Sequence, residues 1–111
     1  MSDLSFASAG EIARRIRARE VSSRAVTEHF IDRIERLDEA LNAVVVRDFA
    51  RARDAADAAD AALAHGEAVG ALHGVPLTVK ESYNIVGLPT TWGIPAFRDN
   101  IATTDAAVVA S

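Results

Sequence analysis

The feature that most limits what this chain can form is a change of character at Gly66. All three prolines and most of the six glycines lie from Gly66 onward, while the stretch before it is charged, alanine-rich and periodic. Glycine and proline punctuate backbone structure, so regular helices belong before this point and strands, turns and loops after it. Residues 1–66 should be mainly helical. Residues 67–111 should hold a strand, a loop and the start of a helix.

In the helical half, Ser8-Ala9-Gly10-Glu11 fits a capping box. It predicts a helix from Ala9 to about Arg19, with Ile12 and Ile16 one turn apart. Val21-Ser22-Ser23 breaks that helix and offers the next cap. Val26, Phe30, Ile34 and Leu37 repeat at helical spacing and predict a helix from Arg24 to about Glu39. Leu41 to Val46 is a short apolar run ending in three valines, which reads as a strand buried on both faces. Asp48 is placed to cap a third helix, from Phe49 to about Ala64, whose stripe of Phe49, Ala52, Ala56, Ala59 and Leu63 is mostly alanine. Such a stripe allows close approach but buries little area. Asp54, Asp57 and Asp60 lie along one side of that helix without the turn of a calcium loop, so they read as a solvated acidic face.

His65-Gly66 ends the third helix. Beyond it, Leu72-His73-Gly74 reads as a turn, and Val75, Leu77 and Val79 alternate with Pro76, Thr78 and Lys80 as a strand does. Pro76 is tolerable near a strand's start. Tyr83 to Pro95 is loop or short strand. Thr103-Thr104-Asp105 caps a helix that begins at Ala106, and the sequence stops at Ser111. A helix so short is not stable by itself, so the chain reads as a truncated polypeptide.

Composition removes several function classes. The net charge of −4 gives no basic footprint for nucleic acid. There is no cysteine, which excludes disulfides and thiolate metal sites or nucleophiles. Met1-Ser2-Asp3-Leu4 opens no secretory signal, and no stretch approaches a membrane span. A cytoplasmic protein with no membrane partner is the expectation. His29, His65 and His73 lack close metal-ligand spacing.

The twelve basic residues are eleven arginines and one lysine, Lys80. Arginine stays protonated in proteins, whereas an enclosed, desolvated lysine can lose its proton and serve as a base. Lys80 ends the strand-like alternation and leads into a loop rich in glycine and proline, a common setting for a functional residue. The bland alternative is a solvated lysine at a strand end. Ser82 is the one serine near it, but nothing nearby forms an oxyanion pocket. His73 and Asp105 complete no Ser-His-Asp set.

Leu72-His73-Gly74-Val75-Pro76-Leu77-Thr78-Val79-Lys80-Glu81 resembles the amidase-signature segment that carries the catalytic lysine. Gly87-Leu88-Pro89-Thr90-Thr91-Trp92-Gly93 continues the match, and Thr104-Asp105-Ala106-Ala107-Val108-Val109 is similar to the start of the family's next helix. The order of helices upstream agrees as well. The resemblance implies an α/β fold, a mixed central sheet flanked by helices, of which residues 1–111 are an N-terminal fragment of one domain. It implies hydrolysis of small amides by a Ser-cisSer-Lys triad, with no cofactor and no metal. Lys80 maps to the triad lysine. Both serines would lie beyond Ser111, since no Gly-Gly-Ser-Ser-like stretch occurs, so the 111 residues alone are expected to be inactive. Glu81 stands where aspartate is common, and Ile94 where serine is frequent.

Two other readings remain. One is the amidase component of a tRNA-dependent amidotransferase, which works with partner subunits. The other is a non-catalytic module that binds a partner along the exposed edge of Val75, Leu77 and Val79.

Overall fold

The computed structural model describes residues 3–110. Met1 and Ser2, with which the N-terminal reading begins, and Ser111, on which the reading of a truncated end rests, lie outside the described residues. The elements are a 3-10 turn at Leu4–Phe6, α1 at Ala9–Arg17, α2 at Ser23–Leu37, α3 at Phe49–Ala64, a second 3-10 turn at Pro95–Phe97, and α4 at Ala107–Ala110. The backbone groups into two compact units. The first is Met1–Ala43 with Asp48–Leu77, and the second is Val44–Arg47 with Thr78–Ser111.

The helices of the first unit start and stop for local reasons. Ser8 Oγ accepts the Glu11 amide at 3.1 Å, which is the serine half of the expected capping box. The Glu11 carboxylate turns to Arg14 and Arg15 instead of the cap amide. At the far end of α1, Arg19 takes a left-handed conformation (φ 57). The Arg19 and Glu20 amides then donate to the carbonyls of Ile16 and Arg15 at 2.9 and 3.0 Å, a Schellman closure. The same closure ends α3, with Gly66 at φ 70 and its amide and that of Glu67 on the Leu63 and Ala62 carbonyls. Asp48 stands at the N-cap of α3, as expected, but its side chain makes no cap bond. Its carboxylate takes Arg51 at 2.8 Å, because the ion pair one turn away competes for the same oxygens.

The start of α2 draws on two sources. Ser22 Oγ accepts the Ala25 amide at 3.0 Å. The Ser23 and Arg24 amides donate across to the two carboxylate oxygens of Asp60, at 2.7 and 3.0 Å. Asp57 pairs with Arg24 at 2.6 Å. The acidic row of α3 is therefore not merely a solvated face, since two of its three members hold α2. Among the described residues no cluster of three or more potential metal ligands forms. Asp60→Ala is expected to cost about 1–3 kcal/mol, because two helix-terminal donors lose a charged acceptor. Urea denaturation should show a lower midpoint with an unchanged slope.

The core of this unit is Leu4, Ile12, Ile16 and Val26, with Ala7, Val21, Phe30, Leu63 and Val75 packed against it. Each fully buried aliphatic side chain contributes roughly 1.5–3 kcal/mol. Leu4, wholly buried from the first 3-10 turn, escapes a reading based on helical periodicity. The buried face of α2 is also rotated from the expected stripe. Ser23, Val26, Thr27 and Ile31 are buried, while Leu37 is exposed. The small side chains of Ser23 and Thr27 and the alanine of α3 at Ala56 allow α2 and α3 to pack closely.

Across the α2–α3 pair, Glu28 accepts from Arg53 at 2.7 and 3.1 Å and from Arg24 at 2.9 Å. The Arg53 guanidinium first, and Arg24 after it, lower the Glu28 carboxyl to about 2. A depressed folded-state value means that this stabilisation is complete above the ordinary value of 4.5 and is lost as pH falls toward 2. Acid titration of Glu28→Gln should give a flatter stability curve between these limits than the unaltered chain.

The two expected strands do not form ladders. Residues 41–46 have the pattern of a strand buried on both faces, yet Leu41 is 74% and Val45 58% exposed. Their backbone is engaged locally. The Asp38 carbonyl accepts the Leu41 and Asn42 amides, its side chain accepts the Ala43 amide at 2.8 Å, and Asn42 is left-handed (φ 51). In the 75–79 run, the Val75 amide closes a turn onto Leu72 at 3.1 Å and its side chain joins the core, while Leu77 stands 76% exposed. A strand needs hydrogen-bonded neighbours, and the described residues supply none here. The only β pairing among the described residues is an isolated antiparallel bridge between Pro89 and Ile101. Among the described residues, no helix is long and apolar enough to cross a membrane.

Candidate active site

Lys80 lies in the second unit, at the head of a turn. Its carbonyl accepts the Tyr83 amide at 2.9 Å. Its side chain is exposed, and among the described residues no hydrogen bond or ion pair engages its ammonium. Ser82 follows inside the turn, so the alternation that would put both side chains on one face stops at Lys80.

Glu81, the next residue, reaches the loop that contains Thr91 and Trp92. Its carboxylate accepts the amides of Thr91 and Trp92, the latter at 2.8 Å. The Thr91 amide, then the Thr91 hydroxyl and the Trp92 amide, hold the carboxyl below its ordinary value. Two successive amides can meet one carboxylate because Trp92 is left-handed (φ 56) and Gly93 follows at φ 72. The Gly93 amide then donates to Thr91 Oγ1 at 3.2 Å.

A short antiparallel exchange holds this loop. The Thr90 amide donates to the Asn100 carbonyl at 2.8 Å, and the Asn100 side chain returns a bond to the Thr90 carbonyl at 2.8 Å. Gly87 and Leu88 exchange bonds with Ala102 at 2.9 and 3.0 Å. Asp105, expected to help cap the next helix, accepts the Val86 amide at 2.8 Å and so ties that helix's approach to the same loop. α4 itself runs from Ala107. Thr90 is buried at 4% exposure.

The remaining candidates lie in the first unit. His73 Nε2 meets the Ala59 carbonyl at 2.8 Å, and His29 Nε2 meets Ser5 Oγ at 3.1 Å. Both bonds are structural. Among the described residues neither histidine belongs to a metal-ligand group, and although Asp3 lies 3.8 Å from His29, it approaches the same Nε2 that meets Ser5, so no Ser-His-Asp relay forms. Sequence reasoning noted the carboxylate beside Lys80 but not its partners, which lie ten and eleven residues on. No periodicity spans that distance.

The family model described as Amidase matches residues 25–111. The chain is 45% identical to a glutamyl-tRNA(Gln) amidotransferase subunit of Acidothermus cellulolyticus, over 98% of this chain and 22% of that protein. It is 43% identical to an indoleacetamide hydrolase of Bradyrhizobium diazoefficiens, over 92% of this chain and 20% of that one. Among solved structures, a bacterial aryl acylamidase of the amidase-signature enzymes superposes with a TM-score of 0.85 at 37% identity, over 91% of this chain and 21% of that one. The chain thus spans about a fifth of the length of the relatives it matches. A resemblance first carried by the Lys80 segment is matched by identity and backbone along nearly its whole length, and the chain belongs to the amidase-signature family.

Proposed function

We propose that this chain is the N-terminal part of a single amidase domain whose intact form hydrolyses small carbon–nitrogen amides in the cytoplasm. One observation carries the reading: the family's lysine segment, Leu72 to Glu81, is present with Lys80 at the head of a turn that Glu81 braces. In the intact enzyme, residues 41–46 and 75–79 pair with strands from the rest of the domain and become part of its mixed sheet. The same residues enclose Lys80 and hold it neutral.

Neutral Lys80 accepts a proton through the middle serine as the nucleophilic serine attacks the amide carbonyl. The tetrahedral intermediate collapses, the relay returns the proton to the departing amine, and water later releases the acid from the acyl-enzyme. The reaction needs no redox partner and no metal.

The test is release of ammonia or amine from a panel of primary amides and anilides by the intact enzyme, with trapping of the acyl-enzyme by mass spectrometry. Failure to turn over or acylate with any member overturns the reading. The 111 residues alone should be inactive, and turnover by them that Lys80→Ala abolishes would contradict the need for serines elsewhere.

A second reading is favoured by the glutamyl-tRNA(Gln) amidotransferase subunits among the relatives. Here the same triad would release ammonia from glutamine within a complex. Glutamine hydrolysis that appears only with partner subunits selects it over the stand-alone amidase.

A further inference from the structure

We infer that Glu81 is the positioning residue for Lys80, a brace that fixes the lysine-bearing turn against the Thr90–Gly93 loop. This rests on Lys80 acting in the triad as proposed. The geometry is local to the second unit. Lys80 opens the turn through its carbonyl bond to Tyr83, and Glu81 is the next residue in that turn. The Glu81 carboxylate spans to two adjacent amides, Thr91 and Trp92, across ten and eleven residues of chain. The far side of the brace is itself anchored. Thr90 is buried and bonded in both directions to Asn100.

Charge-assisted bonds of this kind are roughly twice as strong as neutral ones. Here they also compensate a left-handed tryptophan, a conformation that L side chains avoid. With Glu81 engaged by these amides, its charge is committed to the loop. The carboxylate therefore sets where the lysine begins rather than pairing with its ammonium. A triad tolerates little misplacement, since an error of about 1 Å can cost roughly 100-fold in rate.

The experiment compares Glu81→Ala, Glu81→Gln and Glu81→Asp. In the 111-residue chain, Trp92 is the single tryptophan and reports on the brace directly. Glu81→Ala should speed amide exchange at Thr91 and Trp92 about 10-fold or more and leave Ala102 protected. The unaltered chain should show an acid transition in Trp92 emission with a midpoint below 4.5, absent from Glu81→Gln.

In the intact enzyme, Glu81→Ala should lower kcat about 10- to 100-fold with KM within about 3-fold, and Glu81→Asp should recover part of the loss. Thr91 and Trp92 amides that exchange at the same rate in Glu81→Ala overturn the brace. A kcat within about 2-fold of the unaltered enzyme, where Lys80→Ala is inactive, overturns the positioning role alone. Activity that survives Lys80→Ala overturns the triad reading instead, whatever Glu81 does.

Discussion

Lys80→Ala in the intact enzyme should lower kcat/KM by about four orders of magnitude. Removing one member of a hydrolytic triad typically has an effect of this size, because the members act as a unit. In the 111-residue chain the side chain is exposed and engages no packed partner among the described residues, so there its loss should leave the midpoint of urea denaturation where it was. Lys80→Arg sharpens the test. Arginine keeps the positive charge and much of the length but cannot release its proton. If Lys80 accepts a proton, arginine should be nearly as damaging as alanine. If its role were only to hold a negative group, arginine should retain a substantial fraction of the rate. Steady-state kinetics of both variants on one amide decides between them, and more than about a tenth of the activity in Lys80→Arg would remove the base assignment.

Gly74→Ala should be the most damaging single-methyl change in the first unit, at about 2–4 kcal/mol. Two costs combine. The residue sits at φ +79, a conformation that burdens any L side chain. An added Cβ would also stand 3.1 Å from both Cβ and Oγ of Ser23 and 3.3 Å from Ile16 Cγ2. Neither neighbour can yield, since both are almost fully buried. Any shift would also stretch the 2.6 Å bond from Ser23 Oγ to the Gly74 carbonyl. Gly66 separates the two costs. It has a similar φ of +70 but open space around the missing Cβ, so Gly66→Ala should cost only the conformational part, roughly 1–2 kcal/mol. In a double-mutant cycle, Ser23→Gly should recover part of the loss in Gly74→Ala. Equal effects at Gly66 and Gly74 would show that the close contact is not felt.

The helices are legible in the sequence because their signals are local. Ser8 and Ser22 accept the amides three residues on, and Gly66 closes α3 where glycine is expected. The family is legible because the residues around Lys80 form an ordered set of short motifs. What stays hidden depends on distant residues. Leu4 is buried by helices that follow it, and Ile31 replaces Leu37 on the buried face because the position of α3 sets which side of α2 is covered. The strands mislead for the opposite reason. Residues 41–46 and 75–79 have the composition of strands, but the described residues give them no hydrogen-bonded neighbours, and Asp38 gathers the amides of Leu41, Asn42 and Ala43 into a turn. At the candidate site, Lys80 and the adjacent carboxylate can be read, whereas the reach of Glu81 to Thr91 and Trp92 depends on loop closure.

The long-range cap on α2 has a consequence for how the first unit assembles. Its first turn needs an acceptor from Asp60, 36 to 37 residues downstream, so the helix cannot complete its N-terminus until α3 has docked. Docking in turn places Arg53 on Glu28, in the second turn of α2. The two helices should therefore open together, as one cooperative element, instead of fraying separately from their ends. Ser23 and Arg24 amides, which in an ordinary helix exchange with solvent early, should persist until the pair separates.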